Sequence, residues 1–285
     1  MKKLAAPDIT EADLQEYLES SSDFAFEISV LRELESRALK VDHAGHYSDP
    51  VTGKSREFDF RVRRDVDRFR LALAIEAKNL SKNFPLLLTC LPRPREESWV
   101  SIMKVQSEQP DGPFNISIGN RCLNSFKVGP NRLYPEQEPT GRSIAQVGRD
   151  AKDSGITAAS TEIYEKWGQA IASLHEMVAE FEDLNDEEDS YDGSWGIALP
   201  IVVVPDGTLW RAVLHEDGSP SYKIEEVDRV SHFCAMSIKD PQLARGFARP
   251  DYEVSHVEFV TMTGLRVFLS SWIEGDGIKK LLRDN

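Results

Sequence analysis

The stretch Arg70-Leu-Ala-Leu-Ala-Ile-Glu-Ala-Lys78 constrains this chain most. Its apolar run is nearly continuous, whereas a strand with one wet face would alternate, so residues 70–78 are expected to form a central strand covered on both faces. Such a strand needs packing layers on either side of its sheet, which points to an α/β domain with a mixed sheet. It also ends on charge. Glu76 and Lys78, as i and i+2, share a face with Ala72 and Ala74, while Leu71, Leu73 and Ile75 line the other. An acid and an amine at the end of a buried strand are costly unless they are paired or bound to a metal.

Residues on either side extend this layout. Residues 39–49 and 56–63 read as a hairpin joined by the turn formers Asp49-Pro-Val-Thr-Gly-Lys54. Its second strand alternates Phe58, Phe60 and Val62 with Asp59, Arg61 and Arg63. Upstream, residues 10–39 read as helical. Thr10 and Asp13 form a variant of the capping box, Leu14, Tyr17 and Leu18 form one apolar stripe, and a second segment follows Ser22-Asp23. Residues 160–183 give the clearest helix, with Ile163, Trp167, Ile171, Leu174, Val178 and Phe181 on a core-facing stripe. Ile197–Val204 reads as a buried strand, Pro205–Thr208 as a turn, and Leu209–Leu214 as the returning hairpin partner. Residues 254–272 give a further strand and then a helix or strand.

Two segments interrupt the pattern. Between 81 and 142, prolines at 85, 92, 94, 110, 113, 130, 135 and 139 break any long element. This stretch reads as an insertion with local strands around Trp99–Val105 and Phe114–Ile118. Residues 182–193 read as an acidic, solvated linker. The expectation is a single domain over residues 1–285, carrying that insertion and that linker.

Composition narrows the function classes. The formal net charge of −14 argues against a protein that merely coats nucleic acid. It leaves room for a local basic strip, for which Arg61, Arg63 and Arg64 are the candidates for contact with phosphates. Cys90, Cys122 and Cys234 are few and far apart, which fits a reducing cytoplasm and no structural zinc. No uncharged apolar run is long enough to cross a membrane. Met1-Lys2-Lys3 is followed by Pro7, Asp8, Glu11 and Asp13, where a secretory signal would need an apolar core.

Asp59, Glu76 and Lys78 together supply what phosphodiester hydrolysis needs. Two carboxylates and the Ala77 carbonyl can hold Mg²⁺ through oxygen. A lysine beside the ion can orient the attacking water and stabilise developing negative charge. Phe24-Ala-Phe-Glu27, the run Tyr47–Asp59 and Ile75-Glu-Ala-Lys-Asn79 resemble, in order and spacing, the restriction-endonuclease-like or PD-(D/E)xK nuclease superfamily. The resemblance implies a core of helix, three antiparallel strands, helix and further strands. It assigns metal binding to Asp59 and Glu76, water activation to Lys78, and an accessory acid to Glu27. Phe58 stands where the proline that names the motif would be, and Gln146 is followed at helical spacing by Asp150 rather than by tyrosine. The resemblance implies a cytoplasmic, Mg²⁺- or Mn²⁺-dependent DNA endonuclease of bacterial defence, acting as a homodimer or with a partner protein of the defence system. The alternatives are a catalytically silent binding or assembly module and an RNA-directed nuclease toxin.

Overall fold

A computed structural model describes residues 7–20, 22–37, 39–66, 68–107, 121–181, 194–215, 219–238 and 252–275, with 277 and 280–281. The described residues form an α/β fold with four α-helices and one large mixed sheet of thirteen strands.

At the N-terminus, α1 (Glu11–Ser20) starts from a reciprocal cap: Asp13 N–H donates to Thr10 Oγ1 at 3.3 Å, and Thr10 N–H to Asp13 Oδ2 at 2.8 Å. Its apolar stripe of Leu14, Tyr17 and Leu18 is not buried: each is more than half exposed. The following helix, α2 (Asp23–Glu35), is the one that buries residues, Val30 and Leu34, against the sheet.

Strands β1 (Lys40–Ser48), β2 (Ser55–Val66) and β3 (Phe69–Ala77) form an antiparallel meander. The hairpin turn closes as its residues dictate: Asp49 Oδ1 accepts from Val51 and Thr52 N–H, at 3.0 and 2.8 Å. β3 is buried along its length except at Arg70. Leu71, Leu73 and Ile75 join the core under α2, while Ala72 and Ala74 join the core under α3 (Thr161–Ala179). The near-continuous apolar run is thus a strand with both faces covered, as expected.

β3 runs parallel to β9 (Ser194–Val204), and β9 runs parallel to β13 (Tyr252–Thr261), which is antiparallel to β12 (Arg229–Ile238). The 81–142 stretch is more regular than its prolines suggest. β4 (Leu86–Pro92) pairs with β7 (Pro139–Arg149) in the second half of the sheet, with Pro92 opposite Pro139 at the ladder's end. β5 (Val100–Ser107) pairs with β6 (Arg121–Val128) and with the start of β9. The expected strand around Trp99–Val105 is β5. The one around Phe114–Ile118 and the acidic linker 182–193 lie outside the described residues. The short β8 (Ile156–Ala159) pairs antiparallel with the end of β7.

One expected pairing is wrong. β10 (Leu209–Leu214) does not return along β9; it runs parallel to β4 and antiparallel to β11 (Pro220–Glu226). The turn before it is tied elsewhere, because Asp206 accepts from Thr263 N–H at 2.9 Å at the start of α4 (Met262–Phe268). A π-helical turn, Leu269–Glu274, follows α4.

The two halves of the sheet meet at a narrow seam. β12 and β7 share a single register pair, His232 with Gly141. A Cβ on Gly141 would lie 2.8 Å from Leu88 Cδ2 and 3.1 Å from His232 Nδ1, so a side chain there would have to push the Leu88 methyl aside.

Candidate functional site

The site lies at the carboxyl end of β3, where open α/β sheets place their ligands. The last paired residues of the β2–β3 ladder are Phe60 and Ile75. One step beyond, Asp59 stands across from Glu76 on the same face. Asp59 Oδ2 takes over the ladder's role by accepting from Ala77 N–H at 2.8 Å, and Asp59 N–H makes a long contact of 3.5 Å with Glu76 Oε1. Like charges directly opposite one another on a sheet are destabilising, so this pair needs a counter-charge.

Lys166 supplies it. Its Nζ donates to Asp59 Oδ2 at 2.9 Å and to Glu76 Oε2 at 3.2 Å. The Glu76 side chain is 1% exposed. Burial and then the negative charge of Asp59 push its pKa up to about 8, against the opposing pull of Lys166. Burial opposes the charge on Lys166, but Glu76 and Asp59 outweigh it and hold the ammonium above its ordinary pKa. Glu27, on α2, sits within electrostatic reach; burial and then Asp59 raise its pKa. Its Oε2 lies 4.0 Å from His43 Nε2, and His43 stacks on Phe60.

Lys78 stands beside this group, held elsewhere. Its Nζ donates to Asp23 Oδ2 at 3.0 Å and lies 3.3 Å from Glu162 Oε2. Asp23 also accepts from Asn79 N–H at 2.8 Å, which fixes the start of α2 against the end of β3. Glu162 and Lys166 are one helical turn apart, so α3 presents a carboxylate to Lys78 and an ammonium to Asp59 and Glu76.

Arg61 and Arg63 do not face outward as a phosphate grip. Arg61 is 5% exposed; it donates to Glu176 Oε2 at 2.8 Å and to the Ser173 carbonyl at 3.1 Å, and lies over the Phe58 ring. Arg63 donates to both Glu180 oxygens, at 2.5 and 2.7 Å, and to Asp42. Arg64 is half-buried on the opposite face of β2. The inward turn follows from α3 packing along β2. Lys166, Ser173, Glu176 and Glu180 meet Asp59, Arg61 and Arg63 in order along the strand. Those α3 residues recur at helical spacing beside the apolar stripe, and that second, polar stripe was the sequence signal that would have found Lys166.

Across the other side of Asp59, β1 is strained. His43 pairs with Phe60 and Gly45 with Phe58, so the intervening Ala44 faces Asp59, with φ of 53°. A side chain in this left-handed region costs roughly 1–2 kcal/mol, and a new glycine restores about 0.5–1 kcal/mol of unfolded-state freedom. Ala44→Gly is therefore expected to stabilise the protein by about 0.5–1 kcal/mol, read as a higher urea midpoint; a lower midpoint would show that the strain is not there to be relieved. Gly45 is a different case, since a Cβ there would lie 2.4 Å from the Phe58 ring that supports Arg61.

Among the described residues, no three His, Cys, Asp or Glu side chains converge as a metal-binding group. Mg²⁺ commonly takes only one or two carboxylates and completes its shell with water and substrate oxygens. Asp59 and Glu76 meet that lower requirement. Ala77, whose N–H already points to Asp59, carries its carbonyl on the same side of the strand. The donor set therefore fits a hard divalent ion. A groove of about 780 Å³ shares α3 with the site but lines a different face, with Tyr47, Tyr164, Gly168 and His175.

No protein-family model, curated protein or solved structure matches this chain.

Proposed function

We propose that this protein is a divalent-metal-dependent phosphodiesterase cleaving DNA, on a core arranged like that of the restriction-endonuclease-like nucleases. The observation that carries the reading is the face-to-face placement of Asp59 and Glu76 at the carboxyl end of a buried strand, with a lysine on each side. The β1–β2–β3 meander between α2 and α3 supports it, since the helix and three antiparallel strands occur in the order that the resemblance implies.

Asp59, Glu76 and the Ala77 carbonyl would hold Mg²⁺ or Mn²⁺. A bound ion supplies charge neutralisation at the phosphate and a water of lowered pKa. The protein's own residues do the rest. The Ala77 N–H fixes the Asp59 carboxylate, the buried walls around Glu76 exclude bulk water, and Lys78, clamped by Asp23 and Glu162, holds a positive charge at the rim where a phosphate would approach.

The test is a cleavage assay with single- and double-stranded DNA and RNA in Mg²⁺ or Mn²⁺. The expected outcome is metal-dependent cutting of DNA that falls about a thousand-fold in Asp59→Ala, equivalent to roughly 4 kcal/mol of lost transition-state stabilisation. Preferential cutting of RNA would assign the site to an RNA-directed toxin instead. A second reading, a silent module used for binding or assembly, is favoured by the inward turn of Arg61 and Arg63 and by the net charge of −14. Absence of cleavage on every substrate, with the protein folded, would favour the module.

A further inference from the structure

The contacts of Lys166 and Lys78 differ although their burial is alike. The side chains are 19% and 18% exposed, yet only Lys166 touches the two facing carboxylates. Its Nζ lies within 3.2 Å of both Asp59 Oδ2 and Glu76 Oε2, which is where a cation shared by those oxygens belongs. Both carboxylates have other commitments that keep them in place: Asp59 is pinned by the Ala77 N–H, and Glu76 by its burial. Among the described residues, Lys166 Nζ is held by these two carboxylates themselves. It extends from α3 on a flexible four-carbon stem, and an ammonium is a compact charge that can swing away while the helix stays still.

We propose that Lys166 is a built-in plug: its ammonium holds the cation position between Asp59 and Glu76, and a divalent ion enters by displacing it. This rests on the metal-site reading and adds its regulation. The plug lets the two carboxylates face each other in the absence of metal, and it sets a threshold, because the ion must outcompete an intramolecular charge. Once displaced, Lys166 remains one side-chain length from the site, on the helix that also carries Glu162 against Lys78.

Two measurements test this on the full chain. In the wild type, lysine acylation is followed by mass spectrometry with and without Mn²⁺. Lys166 is expected to become several-fold more reactive when Mn²⁺ is added, while Lys78, equally buried and paired with Asp23 and Glu162, stays unchanged. Equal reactivity of Lys166 in both conditions, with Mn²⁺ shown to bind, overturns the plug. Calorimetric titration with Mn²⁺ supplies the second measurement. Lys166→Met is expected to bind at least ten-fold more tightly than wild type, Lys166→Arg no more tightly, and Glu76→Gln more weakly. If wild type and Lys166→Met bind with the same affinity, the plug is wrong and the metal site stands. If neither binds Mn²⁺, the metal-site reading fails and the plug with it. Should Lys166→Met not fold, the acylation experiment decides alone, since it needs no variant.

Discussion

Replacing Arg93 with alanine will lower the free energy of unfolding by about 3–5 kcal/mol, the range for removing one member of a buried, hydrogen-bonded charge network. Arg93 is fully buried, an unusual state for arginine. It lies just past the end of β4, and its guanidinium reaches across the seam of the sheet. Nη2 donates to Ser231 Oγ at 2.5 Å on β12 and Nε to His256 Nε2 at 3.2 Å on β13. Nη1 donates to the Pro135 carbonyl at 2.7 Å and to Glu138 at 3.0 Å. His256 stays neutral, because burial and then the charge of Arg93 drive its pKa down to about 2, so its Nε2 is free to accept. Where β12 and β7 share one register pair, this fork does the joining that a ladder does elsewhere. Arg93→Lys keeps the charge but loses the fork, and should recover less than half of the loss. Urea denaturation followed by circular dichroism measures both variants. A loss under about 1 kcal/mol in Arg93→Ala, far below the range for a buried network, would mean that the seam is held by other contacts.

What was legible in the sequence was what local periodicity encodes. The apolar run of β3, the Thr10–Asp13 cap, the turn at Asp49–Lys54 and the core stripe of α3 each depend on neighbours within a few residues, and each took the expected form. The candidate pair Asp59 and Glu76 was legible for a related reason, since charged residues at the end of a two-face-buried strand stand out. The rest depended on contacts far apart in the chain. Lys166 is 107 residues from Asp59, and nothing near Lys166 marks it as different from a solvated helix lysine until the second stripe on α3 is laid against β2. Arg61 and Arg63 look like a basic strip because their acidic partners, Glu176 and Glu180, come more than a hundred residues later. Leu209–Leu214 reads as the partner of the nearest strand, as a short turn suggests, but its partner β4 lies in a proline-rich stretch that reads as an insertion with local strands elsewhere. Arg93, flanked by Pro92 and Pro94, gives no local sign of burial at all.

Glu76→Gln should remove a loss of stability that the wild type suffers as pH rises from 4.5 to 8. In the folded protein Glu76 titrates near pH 8, above its ordinary value of 4.5. Between those values the unfolded chain has lost the proton and the folded chain still holds it. A raised carboxyl pKa contributes stability that is complete below pH 4.5 and is lost as pH climbs through 8. The loss is at most about 1.4 kcal/mol per pH unit. Glutamine copies the protonated acid at every pH, so it removes this slope. The two proteins should match near pH 4.5 and diverge above it, until at pH 8–9 the glutamine variant is more stable by a few kcal/mol. Urea denaturation from pH 4.5 to 9, in buffer with a metal chelator, reads the difference directly, and other titrating groups cancel between the two proteins. Curves that stay within about 0.5 kcal/mol throughout, the scatter of an ordinary surface substitution, would mean that Lys166 fully compensates an ionised Glu76. The predicted divergence has a functional meaning. A buried carboxyl whose ionisation costs the fold stability as pH rises toward 8, facing a second acid where apolar residues would pack without penalty, is a cost that the proposed cation-binding role of the pair would account for.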